Sequence, residues 1–351
     1  MSAIEHWLKV RPQGLFCEPG GFFIDPTRAV DRAVITHGHA DHARAGNGAV
    51  LATPETLAIM AARYGAESIG TQQALAYGET VRIGGVSVSL HPAGHVLGSA
   101  QVRLEYQGGI VVISGDYKRR PDPTCAPFEP VPCDVFVTEA TFGLPVFRHP
   151  DDAGEVARLL RSVQLFPDRA HVVGVYALGK CQRLIALLRR AGYDRPIWLH
   201  GALQGLSALY EQLGVPLGDL RPATVQEGKS GQSSTGQSPS GPGRSAFAGE
   251  IVMAPPSAIA DRWSRRLPDP VVCLASGWMR VRQRAKQRGV ELPLIISDHA
   301  DWDELLATLD DVAAPEVWVT HGREEALMHA ASLRGIRARA LALVGFDEDS
   351  A

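Results

Sequence analysis

Between residues 36 and 42 the chain reads Thr36-His37-Gly38-His39-Ala40-Asp41-His42, which packs three imidazoles and a carboxylate into six positions. These are ligand types that zinc, manganese and iron accept. His37 and His39 can point to one ion while Asp41 and His42 point to a second, with Gly38 and Ala40 keeping the turn free of bulk. With 12 His in 351 residues, such a pattern arises by chance in roughly one chain per thousand, which argues against a run of surface histidines. Two ions need more ligands than one loop supplies. Gly94-His95-Val96-Leu97-Gly98-Ser99 offers another imidazole, and Ser114-Gly115-Asp116-Tyr117 another carboxylate. Alone, either would pass for an ordinary loop residue.

The elements that must hold these side chains follow one grammar: a short β-rich run, a polar turn, then a helical pattern. Ala33-Val-Ile-Thr36 precedes His37, and Ile110-Val-Val-Ile113 precedes Ser114-Gly-Asp116. Similar runs occur at Asp134–Thr138, His171–Val175, Pro196–Leu199, Val271–Leu274, Leu294–Ile296 and Val317–Thr320, several leading into amphipathic helices such as Gly179–Arg190 and Trp302–Leu309. This is α/β punctuation. From Gln226 to Gly249 the grammar lapses into Gly, Ser, Gln and Pro with almost nothing to bury, so a mobile surface loop is expected there.

Composition limits the partners. Net charge is −3, so no field over the whole molecule recruits a polyanion, and any nucleic acid must be held locally. Local clusters exist at Lys118-Arg119-Arg120, at Arg262, Arg265 and Arg266, and from Arg280 to Arg288, although a charge run is usually a solvated face. The five cysteines are odd in number and lack C-x-x-C spacing, so neither a disulfide framework nor a thiolate zinc knuckle is expected. With no secretory leader and no long apolar stretch, a cytoplasmic protein without a membrane span is expected.

Taken in order, Asp25 in Phe-Ile-Asp25-Pro, His37/His39/Asp41/His42, His95 and Asp116 make the chain similar to the metallo-β-lactamase superfamily. That resemblance implies an αββα sandwich with a dinuclear site at one edge of its two sheets. It assigns His37, His39 and His95 to one metal and Asp41 and His42 to the other, with Asp116 bridging; Asp25 would orient the loop through hydrogen bonds. Fold alone does not settle the reaction, since the superfamily hosts lactamases, thiolesterases, glyoxalases and nucleases. Downstream, Thr138-Glu139-Ala-Thr-Phe142-Gly143, Ser297-Asp298-His299-Ala300-Asp301 and Val319-Thr320-His321-Gly322 resemble motifs A, B and C of the β-CASP nucleases. Ala177-Leu-Gly179-Lys180-Cys-Gln182 is similar to a turn of their inserted domain. The implied organisation is a metallo-β-lactamase domain over residues 1–150 and 291–351, with an α/β β-CASP domain inserted at 151–290.

Within that branch, Ser-Gly-Asp-Tyr-Lys118, Glu139-Ala-Thr-Phe-Gly-Leu-Pro145, Ala275-Ser-Gly-Trp-Met279 and Ser-Asp-His299-Ala-Asp-Trp302 resemble the bacterial DNA ligase-associated exonucleases. The resemblance implies DNA as substrate, exonucleolytic action, and a repair setting shared with a ligase and a helicase. An RNA-processing ribonuclease is the alternative, because His321 is the residue of the RNA-cutting branch at motif C. A small-molecule thiolesterase or lactonase would need the first metal set but not Glu139, His299 and His321 together.

A phosphodiester is a poor electrophile because it is anionic. Two divalent cations, Zn²⁺ or Mn²⁺, about 3.5 to 4 Å apart neutralise it and acidify a water held between them. Asp41 and Asp116 would hold that water and His321 would complete the second metal. His299 is the expected general acid, with Glu139 bonded to its ring to fix the tautomer. Phosphate or nucleic-acid contacts are expected from Lys118, Lys180, Ser276, Gly277, Arg280, Arg282 and Ser297, and Trp278 could stack on a base.

Overall fold

The structure, a computed structural model, describes residues 3–224 and 243–341. The chain divides into two compact units, residues 1–148 with 298–351, and residues 149–297.

The first unit opens with a six-stranded sheet built in chain order from β1 (Leu8–Arg11), β2 (Gly14–Cys17), β3 (Phe22–Ile24), β4 (Arg32–Val34), β5 (Ala49–Ala52) and β6 (Thr71–Ala74). Helix α1 (Pro54–Tyr64) lies between the last two strands in sequence. Its N-cap Thr53 accepts the Thr56 amide at 3.2 Å, with Pro54 in the first turn where a missing N–H costs nothing. Alternation sorts the side chains: Leu15, Cys17, Phe22, Ile24, Val34 and Leu51 join one core, while Ala33, Val50 and Ala52 pack with Leu57 and Met60 of α1. The second sheet begins with β7 (Thr80–Ile83), β8 (Val86–Pro92), β9 (Ala100–Tyr106), β10 (Gly109–Ile113) and β11 (Val135–Ala140).

The second unit is a parallel six-stranded sheet with helices between its strands: α2 (Asp152–Leu165), β12 (His171–Gly174), α3 (Lys180–Arg190), β13 (Ile197–Leu199), α4 (Gly201–Gln212), β14 (Leu220–Pro222), β15 (Ile251–Ala254), β16 (Val271–Ala275), α5 (Arg282–Gln287) and β17 (Leu292–Leu294). Strand order is β14-β13-β15-β12-β16-β17. Chain return falls at residue 298 instead of the expected 291, because Leu292–Leu294 pairs in parallel with β16. The surface loop expected over 226–249 lies outside the described residues as far as residue 242. Its last part is corrected: Arg244–Phe247 forms a 3₁₀ turn, Phe247 is fully buried with its ring 4.9 Å from Trp198, and Arg244 donates to the Leu267 carbonyl at 3.1 Å. A phenylalanine anchors the end of an otherwise polar stretch. Phe247→Ala is expected to cost about 3–5 kcal/mol in urea unfolding; a loss under about 1 kcal/mol would show that this turn does not pack as described.

Back in the first unit, α6 (Trp302–Val312), β18 (Glu316–Gly322), α7 (Glu324–Ser332) and β19 (Arg337–Ala340) complete the second sheet, whose order is β19-β18-β11-β10-β9-β8-β7. Val111, Ile113, Val135, Val137 and Trp318 share the core with the first sheet. Val112, Phe136, Val317 and Val319 face Leu305, Leu309, Leu327 and Ala331 of α6 and α7. Central strands are thus apolar on both faces, as a sheet covered on both sides requires. The layers run α1, sheet, sheet, α6 with α7, which is the expected αββα sandwich. Among the described residues, no helix is long and apolar enough to cross a membrane.

Candidate metal centre

Every residue of the centre comes from the first unit, and all but His299, which precedes α6, lie at or just beyond strand ends: Asp25 after β3, Thr36 to His42 after β4, His95 after β8, Asp116 after β10, Glu139 in β11 and His321 in β18. Strand ends suit the task because the sheet fixes the backbone up to the turn. The turns then take conformations that an extended strand cannot. Gly115 has φ 56°, and a Cβ there would meet Thr36 at 2.8 Å, so only glycine lets Asp116 reach the centre. Asp25 (φ 43°) and His321 (φ 57°) are non-glycine residues in the left-handed region, a cost of about 1–3 kcal/mol each that surrounding structure must sustain.

His37, His39, His95 and Asp116 converge, with one ligand atom from each lying within 4.8 Å of the others. Nδ1 of His39 is 3.1 Å from Nε2 of His37 and 3.0 Å from Nε2 of His95. Oδ2 of Asp116 is 3.5 Å from Nε2 of His37, 3.7 Å from Nε2 of His95 and 3.5 Å from Nε2 of His42. It is therefore shared between the two imidazole groups. His42 also approaches Asp41 at 3.7 Å, and the His321 ring lies 5.6 Å from that of His42.

The outward nitrogens explain why the inward ones face each other. His42 Nδ1 is bonded to Asp25 at 2.8 Å and His95 Nδ1 to the Asp298 carbonyl at 2.7 Å; since these partners only accept, each ring carries a proton outside, and neutral His95 turns a lone pair inward, while the inward nitrogen of His42 faces the carboxylates of Asp116 and Asp41. Asp25 is further held by the Thr36 amide at 2.8 Å and hydroxyl at 2.6 Å. Burial, reinforced by the neighbouring imidazoles, pushes His37 and His95 well below the usual histidine range. Burial and His42 likewise bring His321 down to about 3. His42 goes the other way, to about 10, because Asp116, Asp25 and Asp41 outweigh its burial. Asp116 is pushed up to about 7 chiefly by burial. Nε2 of His37 and Nε2 of His95 both meet the single Nδ1 of His39 at about 3 Å, and that nitrogen carries at most one proton for two neighbours, a shortfall that a cation among the three would make good. The donor set thus fits a divalent metal held by His37, His39, His95 and Asp116, and a second beside Asp41, His42 and His321.

Beside this cluster, Glu139 is buried and accepts the Tyr117 amide at 2.7 Å, with His299 Nδ1 at 2.9 Å. Burial opposes the Glu139 charge, yet the His299 ring holds its pKa below the usual carboxylate range; Glu139 and Asp116 in turn raise His299 to about 9 against its own burial.

The expected phosphate contacts fare less evenly. Lys118 is buried, its ammonium 2.7 Å from Asp122 and 3.1 Å from the His95 carbonyl, so it faces the interior instead of solvent. Its neighbours are also engaged: Arg119 pairs with Asp311, and Arg120 with Asp301 at 2.8 Å and Glu304 at 3.2 Å. Lys180 is buried and donates to the Ile296 carbonyl at 2.8 Å, and the Ser297 carbonyl holds buried Arg183. Ser276 caps the turn Gly277–Arg280 by accepting the Trp278 amide at 3.3 Å, and Gly277 is buried. Arg280 and Arg282 are exposed. Arg284 already lies 4.1 Å over the Trp278 ring, which leaves that face no room for a base. Sequence reasoning missed Thr36, although it adjoins the motif. It also missed Arg63, whose guanidinium donates to the Gly38 carbonyl at 2.8 Å from a helix 25 residues away, with no local signal.

Residues 26–174 match the Metallo-beta-lactamase superfamily. The chain is 28% identical over 339 residues to a probable DNA ligase from Opitutus terrae, covering 93% of this chain and 30% of that protein. It is 26% identical over 409 residues to a ribonuclease from Thermus thermophilus, covering 94% of this chain and 89% of that protein. An endoribonuclease from Gibberella zeae is 29% identical over 178 residues, 48% of this chain and 20% of that one. The chain therefore spans less than a third of the first and third of these relatives. A solved structure of a protein of unknown function from Enterococcus faecalis has a similar fold, with TM-score 0.57 and 13% identity over 90% of this chain and 80% of that one.

Proposed function

We propose that this chain, which carries a metallo-β-lactamase domain, is a two-metal nuclease that hydrolyses nucleic-acid phosphodiesters, with DNA as its substrate and the unit at residues 149–297 as its β-CASP insertion. One observation carries the reading: the His37, His39, His95 and Asp116 cluster stands beside a Glu139–His299 pair bonded at 2.9 Å, with the carboxylate buried and the imidazole partly exposed. A hydrolase needing only metals has no use for a carboxylate-held imidazole at the same centre. When bound, the ions would neutralise the phosphodiester and lower the pKa of an attacking water. The chain's own residues supply the rest. Asp25 and the Asp298 carbonyl fix the tautomers of His42 and His95. As the bond between phosphorus and the leaving oxygen breaks, His299 gives that oxygen a proton from Nε2, while Glu139 keeps Nδ1 and orients the ring.

DNA is favoured by the similarity to part of a probable DNA ligase over 93% of this chain. RNA is a second reading, favoured by the Thermus ribonuclease, which aligns along nearly the whole length of both chains, and by His321 at motif C. A time course on end-labelled single- and double-stranded DNA and matched RNA, with Zn²⁺ or Mn²⁺ and a thioester as control, separates them. DNA shortened from one end is the expected result. Preferential cleavage of RNA would transfer the assignment to the second reading, and hydrolysis of the thioester alone would overturn both.

A further inference from the structure

Lys118 follows Asp116 by two residues, and its side chain is fully buried together with that of Asp122, 2.7 Å from its ammonium. Asp122 is held in turn, accepting the Thr124 amide at 2.8 Å and hydroxyl at 2.7 Å. Burying two charges is costly, and an apolar pair of the same volume would fill this space with less penalty. What an apolar pair cannot do is the second bond Lys118 makes, 3.1 Å to the carbonyl oxygen of His95 itself.

With that bond, every polar group of His95 other than Nε2 is held from outside the cluster: the amide donates to Ser99 Oγ at 3.0 Å, the carbonyl accepts from Lys118, and Nδ1 donates to the Asp298 carbonyl. Nε2 alone faces the cluster, 3.0 Å from His39 Nδ1 and 3.7 Å from Asp116 Oδ2. The two loops also touch through backbone. The Lys118 amide donates to the Ala93 carbonyl at 3.2 Å, and Gly94 (φ 73°) passes so close that a Cβ would meet the Lys118 carbonyl oxygen at 2.3 Å. The segment bearing Asp116 and the turn bearing His95 are thus fastened to each other at the side away from the cluster.

We propose that Lys118 is a positioning residue that sets His95 against Asp116 for metal binding, with Asp122 keeping its ammonium in place. It is an interior brace, not a contact to nucleic-acid phosphate. The proposal rests on the reading of His95 and Asp116 as metal ligands. Losing a partner that orients a ligand from outside the coordination sphere weakens metal affinity by about 10- to 100-fold.

The test uses the full chain and two variants. Lys118→Met removes the ammonium but strands Asp122, so Lys118→Met with Asp122→Asn is made beside it; the amide oxygen still accepts from Thr124. Zinc affinity is measured by competition with a chromophoric chelator, and the cobalt(II)-loaded protein is read by visible absorption. The expected result is a folded double variant that binds zinc about 10- to 100-fold more weakly and shows shifted cobalt bands, because His95 is no longer held. General destabilisation would lower the melting temperature without moving those bands. Unchanged zinc affinity and an unchanged cobalt spectrum in the double variant would overturn the brace while leaving the metal reading intact. A wild-type chain that takes up neither ion would remove both.

Discussion

Replacing His39 or Asp116 by Ala is expected to take hydrolysis below detection while leaving a folded chain. Each is half or wholly buried, yet each sits on a turn beyond a strand end instead of in a core cluster, so its removal opens no cavity between the sheets. His39 supplies the nitrogen closest to both His37 and His95. Asp116 supplies the oxygen shared by His37, His42 and His95. Neither loss can be made good by a neighbour. Metal-free, both variants should melt at or slightly above the wild-type temperature, because each removes a crowded polar group that the apo protein holds at a cost. The difference emerges on loading. Binding at a thousandfold excess over Kd adds about 4 kcal/mol to the wild type, a rise of several degrees, and this gain should vanish in both variants. A zinc-induced rise that survives in either, or cleavage at the wild-type rate, would sink the ligand assignment.

The parts of this centre that were legible in the sequence are those whose geometry is local. His37 to His42 lies within one turn, so spacing alone implied convergence, and strand grammar placed Asp116 at the end of another strand, while Glu139 came from the motif resemblance. Glu139 and His299 are 160 residues apart and were paired through motif resemblance; no periodicity connects them. The basic run Lys118-Arg119-Arg120 shows the opposite case. A charge run carries no mark of whether its partners are phosphates or carboxylates brought in from elsewhere, and here Asp311, Asp301 and Glu304 arrive from more than 180 residues downstream. Lys118 was misread for a subtler reason: its partner Asp122 is only four residues on, but its second acceptor, the His95 carbonyl, comes from a turn 23 residues upstream that the run itself does not announce. The return to the first unit was set a few residues early because Leu292–Leu294 reads equally well as a strand of either unit, and only pairing with β16 decides. Phe247 was likewise lost in its polar surroundings, although one buried ring suffices to pin a chain.

His299→Ala should separate the acid from the metals. Nδ1 of His299 is committed to Glu139, and the cluster of His37, His39, His95 and Asp116 is complete without it. The variant is therefore expected to keep its metal content and its affinity for DNA. Cleavage of DNA should nevertheless slow by about 10²- to 10⁴-fold, the usual contribution of a positioned proton donor. An alkoxide leaving from a sugar needs that proton; a nitrophenolate does not. Bis-p-nitrophenyl phosphate should thus be hydrolysed at a rate much nearer the wild type. Glu139→Gln should show the same selectivity in milder form, since the amide can keep a hydrogen bond to the ring but no longer favours its charged state. A further grouping bears on the outcome: Asp116, Glu139 and His299 also lie with one donor atom each within 4.8 Å of one another. If His299→Ala loses a metal equivalent, or slows both substrates alike, His299 is a ligand in that grouping, and the proton must come from another residue or from solvent.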